Sequence, residues 1–190
     1  MPLLGVIFVF KIHAIYRIIY PNDFGNLLIL LASILTLVFP FVSIYVLYRS
    51  GMVSDLSLTN RKERLLPSVI TVAYYLGFYY FIRRINGLDE PILAGYFGGC
   101  LALIVSIVIT SKWKISLHTQ GISSLAGMMT GVTQVTFVSH TGLIVALLAC
   151  IGLVGTSRLI LNKHTPFQVY AGALVGFAIP YWFAVNEWAI

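Results

Sequence analysis

The sequence predicts an all-α fold, an integral membrane helical bundle of six or seven transmembrane helices. Of the 190 residues, 59% are hydrophobic and only 9% are charged, and the mean hydropathy is +0.94. So few charges cannot cover a water-soluble surface, so lipid has to cover most of it. Apolar stretches of the length that crosses a bilayer recur along the chain, and short connections join them. We therefore expect one transmembrane domain over 1–190.

Five stretches are long and apolar enough to span a bilayer without interruption. They lie at 27–48, 68–82, 91–111, 141–161 and 166–186. A sixth stretch, 118–137, is interrupted by Ser, Thr and Gln residues. Its glycines Gly121, Gly127 and Gly131 would let neighbouring helices approach closely. We therefore predict that this stretch is a buried span.

The segment 3–20 is a candidate for a seventh span. Lys11, His13 and Arg17 interrupt its apolar run. The charged side chains would have to snorkel to the bilayer surface or face a cavity. The same interruptions argue against a removable signal peptide.

Counting the crossings assigns each loop to one of two sides. Side A receives 49–67, 112–117 and 162–165, and side B receives 83–90 and 138–140. Side A collects eight of the 12 Lys and Arg residues, which are Arg49, Arg61, Lys62, Arg64, Lys112, Lys114, Arg158 and Lys163. As a topology signal, this excess would place side A in the cytoplasm. A cluster that binds phosphate would give the same count, so the sidedness stays open.

The first polar segment of side A reads SLTNRKERLLP and covers 57–67. Asn60 is a suitable N-cap, with Glu63 at the third helical position. Its three basic residues are Arg61, Lys62 and Arg64. Basic side chains at a helix N-terminus can bind an anion together with the N–H groups of the first turn. The alternative is a basic patch that is attracted to anionic lipid headgroups.

The second polar segment reads KWKISLHTQG and covers 112–121. His118 follows Lys112 and Lys114 and opens the most polar of the predicted spans. A single His at a helix start usually only satisfies hydrogen bonds. The two lysines and the other polar segments of side A favour a functional role instead.

The third polar segment reads SRLILNKHTPFQ and covers 157–168. Arg158 lies near the end of one span, and His164 lies just before the next. An Arg and a His at a helix junction indicate an anion site. Thr165 and Gln168 have the spacing of a capping box. Gln168 therefore either only closes the helix start or also orients His164.

The third segment resembles the type 2 phosphatidic acid phosphatase family, which shares its site with vanadium-dependent haloperoxidases and glucose-6-phosphatase. The family motif SRxxxxxHxxxD is matched at Ser157, Arg158 and His164. Gln168 stands where the family has Asp. The family's PSGH motif is matched at two positions, Ser116 and His118, in ISLH.

The family's first motif, KxxxxxxRP, is matched least. RKERLLP, at 61–67, has the charges and the proline but not the spacing. Together the three segments resemble a divergent bacterial branch of the family. The localisation implied by this resemblance is a bacterial inner membrane.

The resemblance implies a metal-independent phosphatase that works in two steps through a phosphohistidine. His164 would be the nucleophile. His118 would be the general acid and base. Gln168 would orient His164 through a hydrogen bond but, unlike the family's Asp, would bring no charge. The implied phosphate-binding residues are Arg158, Lys62, Arg61, Arg64, Ser116 and Ser157.

A phosphate site at the bilayer surface indicates a lipid substrate, such as phosphatidic acid, phosphatidylglycerol phosphate or an isoprenyl diphosphate. Neither a metal nor another cofactor is expected, because a ring of Lys and Arg repels a divalent cation. The expected partners are membrane lipids and the lipid phosphate, not nucleic acid, and the oligomeric state stays open. Two alternatives remain: a non-catalytic protein that binds or transports an anionic lipid, and a structural bundle whose basic loops meet headgroups.

Overall fold

The structure is a computed structural model that describes residues 2–12, 14–56, 58, 60 and 62–188, without the side chains of 14, 15, 17 and 62. These residues form helices and loops and contain no β-strand. The chain divides into two compact units, Met1–Phe78 and Tyr79–Ile190, called here the N-terminal and C-terminal units. The all-α prediction is confirmed, and the prediction of a single domain stays a prediction.

The N-terminal unit contains three helices and the first part of a fourth. They are α1 (Pro2–Ile12), α2 (Ala14–Ile19), α3 (Asn22–Arg49) and α4 (Leu65–Ile82). An aromatic cluster joins α1 to α3 through Tyr20, the residue that follows α2. The ring of Phe10 meets the edge of Tyr20 at 5.6 Å, and Tyr20 stacks on Phe24 at 5.2 Å. The hydroxyls of Ser43 and Tyr74 join α3 to α4 at 3.0 Å.

The C-terminal unit is a bundle of four long helices joined by short loops. They are α5 (Glu90–Lys112), α6 (Leu117–Thr136), α7 (Thr141–Ile160) and α8 (Pro166–Asn186). Helices α6 and α8 form the most extensive contact, α5 packs on both, and α7 packs mainly on α6. Because short loops reverse the chain, α5 and α7 end where α6 and α8 begin.

Glycines let the backbones of α6 and α8 touch. A Cβ at Gly176 would overlap the carbonyl oxygen of Gln120, and a Cβ at Gly127 would overlap that of Phe177. Only residues without a side chain allow helices to approach this closely. The close packing fixes the starts of α6 and α8 beside each other, which positions the site described below.

Five helices are long and apolar enough to cross a membrane, and they confirm the five predicted spans. They are Asn22–Arg49, Leu65–Ile82, Glu90–Lys112, Thr141–Ile160 and Pro166–Asn186. Helix α6 forms over 20 residues at the predicted place but is more polar and is not among these five, so its role as a buried span stays a prediction. The chain therefore has the features of an integral membrane protein.

The predicted seventh span, 3–20, is helical over its described residues 3–12 and 14–19. Helices α1 and α2 lie on either side of His13, which is outside the described residues. The spanning role of 3–20 therefore stays a prediction.

Candidate anion site at two helix starts

The fold brings the second and third polar segments together at one end of the C-terminal unit. The N–H of Ser116 donates to the carbonyl oxygen of Gln168 at 3.2 Å, and this bond joins the start of α6 to the start of α8. Gly172 packs on the same loop, since a Cβ there would lie 2.6 Å from the carbonyl oxygen of Ser116. His118 and His164 are thereby placed at two adjoining helix N-termini.

Ser116 has a clear structural role at this junction. It is fully buried and is the N-cap of α6. Its Oγ accepts the N–H of Thr119 at 3.5 Å and pairs with the Thr119 hydroxyl at 2.8 Å. Both the amide and the hydroxyl of Ser116 thus have partners within the protein. The predicted phosphate-binding role of Ser116 stays a prediction.

His118 is the second residue of α6, and its side chain is exposed. The N–H groups at a helix start have no partner within the helix and carry a partial positive charge. An anion that reaches His118 therefore also meets the favourable end of the α6 dipole. The position suits a residue that exchanges protons with a bound phosphate or with water.

The hydrogen bonds around His164 determine its neutral tautomer. His164 Nδ1 lies 3.0 Å from Oε1 of Gln168. The same oxygen accepts the backbone N–H of Thr165 at 3.3 Å. A backbone N–H can only donate, so the Gln168 amide must present its oxygen here. His164 Nδ1 is therefore the donor, and the lone pair of the neutral ring lies on Nε2.

Gln168 fulfils both functions that the sequence left open. It completes a capping box with Thr165 at the N-cap of α8, and it also fixes the ring of His164. One side-chain oxygen accepts both hydrogen bonds. A glutamine can do this without a charge, because a carbonyl oxygen has two lone pairs.

Arg158 lies in the last turn of α7, close to the start of α8. The N–H of Lys163 donates to the carbonyl oxygen of Arg158 at 3.1 Å and folds the connecting turn back onto α7. Nε of Arg158 is buried and has no hydrogen-bond partner among the described residues. An unsatisfied buried N–H costs about 1–3 kcal/mol, and more for a charged group. This group is therefore suited to bind an anion. The neighbouring Ser157 is exposed.

Charge is distributed unevenly along the C-terminal unit. Its three acidic residues are Asp89, Glu90 and Glu187. All three lie where α5 begins or α8 ends, which is the end opposite to His118 and His164. The segments 112–121 and 157–168 contain basic residues and no carboxylate. His140 also lies at the opposite end, where burial lowers its pKa.

The first polar segment belongs to the N-terminal unit and satisfies many of its polar groups internally. Glu63 accepts the N–H and hydroxyl of Ser54 at 2.7 and 2.8 Å and the side-chain amide of Asn60 at 2.9 Å. The hydrogen bonds from Ser54 hold the pKa of Glu63 below its usual value. Nε of Arg64 donates to the carbonyl oxygen of Leu58.

Two predicted site residues of the first segment fall in part or in full outside the described residues. Arg61 lies outside the described residues, as does the side chain of Lys62. Residues Lys62–Arg64 form a 3₁₀ turn, and α4 begins at Leu65. The predicted α-helical turn with Glu63 at its third position is therefore a 3₁₀ turn here. The phosphate-binding roles of Arg61, Lys62 and Arg64 stay predictions.

No family model, curated protein or solved structure matches this chain. The described residues contain no group of three or more His, Cys, Asp and Glu side chains that could hold a metal ion. The proposal made below therefore rests on the chemistry of this site and on the sequence motifs described above.

Sequence reasoning missed Thr119, whose hydroxyl completes the cap at Ser116. The signal was present in the spacing of Ser116, Thr119, Gln120 and Ser123, which places four polar residues on one helix face. All four are buried. The overall composition of the span does not reveal this polar face, whereas the spacing of the four residues does.

Proposed function

We propose that this protein is an integral membrane lipid phosphatase that forms a phosphohistidine at His164. The main support is the shared oxygen of Gln168, which accepts from both Thr165 and His164. This arrangement leaves the lone pair of neutral His164 on Nε2, the atom that would attack phosphorus. The resemblance of the sequence to type 2 phosphatidic acid phosphatases supports the same reaction.

In the first step, Nε2 of His164 attacks phosphorus in line with the leaving lipid oxygen. The P–N bond forms, the P–O bond breaks, and its electron pair goes to the leaving oxygen. His118 donates the proton that converts this oxygen into a hydroxyl. The products are a phosphohistidine and a dephosphorylated lipid.

In the second step, a water molecule attacks the phosphohistidine. His118, now neutral, accepts a proton from the water. The new P–O bond forms, the P–N bond breaks, and its electron pair returns to Nε2 of His164. Inorganic phosphate is released, and both histidines regain their starting states.

Charge in the transition state is balanced by Arg158 and by the two helix starts. The unpartnered Nε of Arg158 would donate to a phosphate oxygen in a charge-assisted hydrogen bond. The N-termini of α6 and α8 add partial positive charge. Gln168 does not stabilise an imidazolium as a carboxylate would, so we expect slower turnover than an aspartate would give.

The apolar surface next to the site supports a lipid substrate. Ile160 and Leu161, which follow Arg158, are 73% and 56% exposed, and Phe167 at the start of α8 is 79% exposed. Such large exposed apolar side chains suit contact with acyl chains. We propose phosphatidic acid, phosphatidylglycerol phosphate and isoprenyl diphosphate as the substrates to test first. The proposed location is a bacterial inner membrane.

Phosphate release tests this function. We expect purified protein in detergent with a chelator to release phosphate from at least one of these lipids. His164→Ala should lower the rate by about a thousandfold or more, because the nucleophile is lost. His140→Ala, at the opposite end of the bundle, is the matched histidine control and should retain the rate. Normal turnover in His164→Ala, or complete inhibition by the chelator, would contradict the mechanism.

A non-catalytic protein that binds or transports anionic lipid is the second candidate. The observation that favours it is the neutral Gln168, which supplies no charge to His164. In this case lipid phosphate binds and Arg158→Met weakens binding. No acid-labile phosphohistidine then forms with any of the three substrates. Detection of the phosphohistidine by mass spectrometry under mild conditions would exclude this candidate.

A further inference from the structure

A polar seam runs along α6 from the site into the bundle. It consists of Ser116, Thr119, Gln120 and Ser123, and each of them is at most 3% exposed. The spacing i, i+3, i+4, i+7 places them on one face of the helix. In a membrane bundle, where apolar side chains are the default, buried polar residues on one face indicate a function or a specific contact.

Helix α5 carries a matching pair, Ser106 and Thr110, which are 0% and 3% exposed. The two helices are antiparallel, with α5 ending at Lys112 and α6 beginning at Leu117. Ser106 and Ser123 are each six residues from these helix ends, so both lie about 9 Å into the bundle. The two helices therefore bring the buried hydroxyls of Ser106 and Ser123 to the same depth below His118 and His164.

The hydroxyls of Ser106, Thr110 and Ser123 have no hydrogen-bond partner among the described residues. Thr133, ten residues beyond Ser123 on α6 and toward the opposite end of the bundle, also lacks one within the described residues. Two other hydroxyls of α6 behave differently. Ser124 and Thr130 donate to the carbonyl oxygen four residues earlier, at 3.0 and 2.8 Å. That bond is the usual solution for a hydroxyl within a helix. The three unpartnered hydroxyls thus need another explanation.

Helix association does not explain them. Ser and Thr side chains that hold membrane helices together do so by hydrogen bonds across the interface. Ser106, Thr110 and Ser123 form none with the described residues. A buried water molecule is the common partner of such groups, because it typically forms about three hydrogen bonds to buried polar atoms.

We propose that Ser106, Thr110 and Ser123 bind a small cluster of ordered water molecules inside the C-terminal unit. We further propose that this cluster supplies the water that hydrolyses the phosphohistidine, a step that rests on the proposed function. The polar seam leads from Ser123 to Ser116, which is two residues before His118. Water that follows this path reaches the residue that accepts its proton without crossing lipid.

The reaction of this water is the second step of the mechanism. Its oxygen bonds to phosphorus, its proton passes to His118, and the electron pair of the P–N bond returns to Nε2 of His164. An internal supply favours water over larger hydroxyl compounds, because only water fits between tightly packed helices. When an alcohol is added, the ratio of free phosphate to alcohol phosphate therefore shows whether the attacking water comes from inside the bundle.

A high-resolution experimental map tests the hydration. We expect water peaks at hydrogen-bond distance, about 2.7 to 3 Å, from the three hydroxyl oxygens. The triple variant Ser106→Ala, Thr110→Val, Ser123→Ala should lose them, and the matched variant Ser124→Ala, Thr130→Val should keep them. The single variant Ser106→Ala serves if the triple variant does not fold. A map in which the three hydroxyls bind backbone carbonyls and no water is present overturns the proposal.

Product partition tests the supply of water. We expect turnover in the presence of glycerol to yield both phosphate and glycerol phosphate, because a glycerol hydroxyl can replace water in the attack on the phosphohistidine. We expect the triple variant to raise the share of glycerol phosphate about fivefold, while the Ser124→Ala, Thr130→Val control leaves it unchanged. An unchanged share in the triple variant overturns the supply role even if the map shows water. If the wild-type protein releases no phosphate from any lipid, the proposed function and the supply role fail together, and the map still decides the hydration.

Discussion

Two regions of this chain are rich in basic residues, and they differ in how their polar groups are satisfied. In the segment before α4, the carboxylate of Glu63 accepts three hydrogen bonds, and Nε of Arg64 donates to a backbone carbonyl. In the last turn of α7, close to the start of α8, Nε of Arg158 is buried and has no partner in the described part of the chain. Nδ1 of His164 lies close by and donates to Oε1 of Gln168.

The difference shows that a count of charges does not locate a site. Both regions look like anion sites in the sequence, because both carry several Lys and Arg residues. The described part of the first region contains its own anion, Glu63, and uses it locally. The second region contains no carboxylate and has an unsatisfied donor. Unsatisfied hydrogen-bonding capacity, more than charge, distinguishes the stronger candidate.

Between the two regions, the largest expected difference is that between their arginines. Arg158→Met should lower kcat/KM for lipid phosphate release by about a hundredfold or more, since removing one donor to a developing negative charge costs 10²–10³ in rate. Arg64→Met should lower it by about tenfold or less, because Nε of Arg64 binds the carbonyl of Leu58. Equal losses in the two variants would show that both regions bind the same phosphate and would break the distinction.

The next effect concerns the packing that joins the helix starts. A Cβ at Gly176 would overlap the carbonyl oxygen of Gln120, so Gly176→Ala should destabilise the bundle by about 1–3 kcal/mol. Gly152→Ala on α7 is the control, because no atom lies within 4 Å of a Cβ there. It should stabilise its helix by up to about 1 kcal/mol. Denaturation in detergent, followed by circular dichroism, measures both variants.

A smaller effect is expected from adding the missing charge. Gln168→Glu keeps the length of the side chain and the capping box, and its carboxylate would stabilise the imidazolium form of His164. We expect phosphate release to rise about tenfold, a change of about 1.4 kcal/mol in the barrier. Gln134→Glu is the control, because Gln134 lies near the opposite end of α6 and accepts the Tyr181 hydroxyl at 2.8 Å. A gain of the same size in the control would show that the added charge acts non-specifically.

Gln168→Asp also supplies the charge, on a side chain that is one carbon shorter. It restores the residue type of the motif that the sequence resembles. A gain with Glu and none with Asp would indicate that the distance of 3.0 Å to His164 Nδ1 limits the effect. A loss with both would show that a neutral partner suits this site, which contradicts the proposed role of the charge.

The smallest effect is a pH dependence confined to the first region. The hydrogen bonds from Ser54 lower the pKa of Glu63 in the folded protein. These bonds therefore stabilise the folded loop at a pH above the ordinary carboxyl pKa, and this stabilisation is lost as the pH falls through the lowered pKa. The amide of Ser54 donates to Glu63 at 2.7 Å, and its hydrogen-exchange protection should fall over that acidic range. The amide of Ser116 donates to a backbone carbonyl and should keep its protection. A parallel loss at both amides would indicate global unfolding instead.

The helices were predictable because their signal is simple. Apolar stretches of span length give the bounds of α3 to α5, α7 and α8 within a few residues. Helix α6 was found despite its polar residues, because its glycines pointed to close packing. The segment 3–20 was predicted as one span from its hydropathy. Its described residues form α1 and α2 on either side of His13, and the span stays a prediction.

The site was predictable where the signal is local. The spacing of Thr165 and Gln168 gave the capping box, and the positions of His118 and His164 at helix starts followed from the loops. The bond from Ser116 to Gln168 joins residues that are distant in sequence, so no local pattern reveals it. The internal pairing of Glu63 with Ser54 was missed for the same reason, because it depends on the path of the loop.

Gln168 has a further consequence for binding. Its backbone carbonyl holds the amide of Ser116, while its side chain holds His164. One residue therefore links the helix turns that carry the two histidines, and these turns must move together. The conformational entropy of aligning two reactive groups is then lost when the chain folds and not when a ligand arrives. In the proposed phosphatase, the phosphate would therefore meet a site whose shape is already formed.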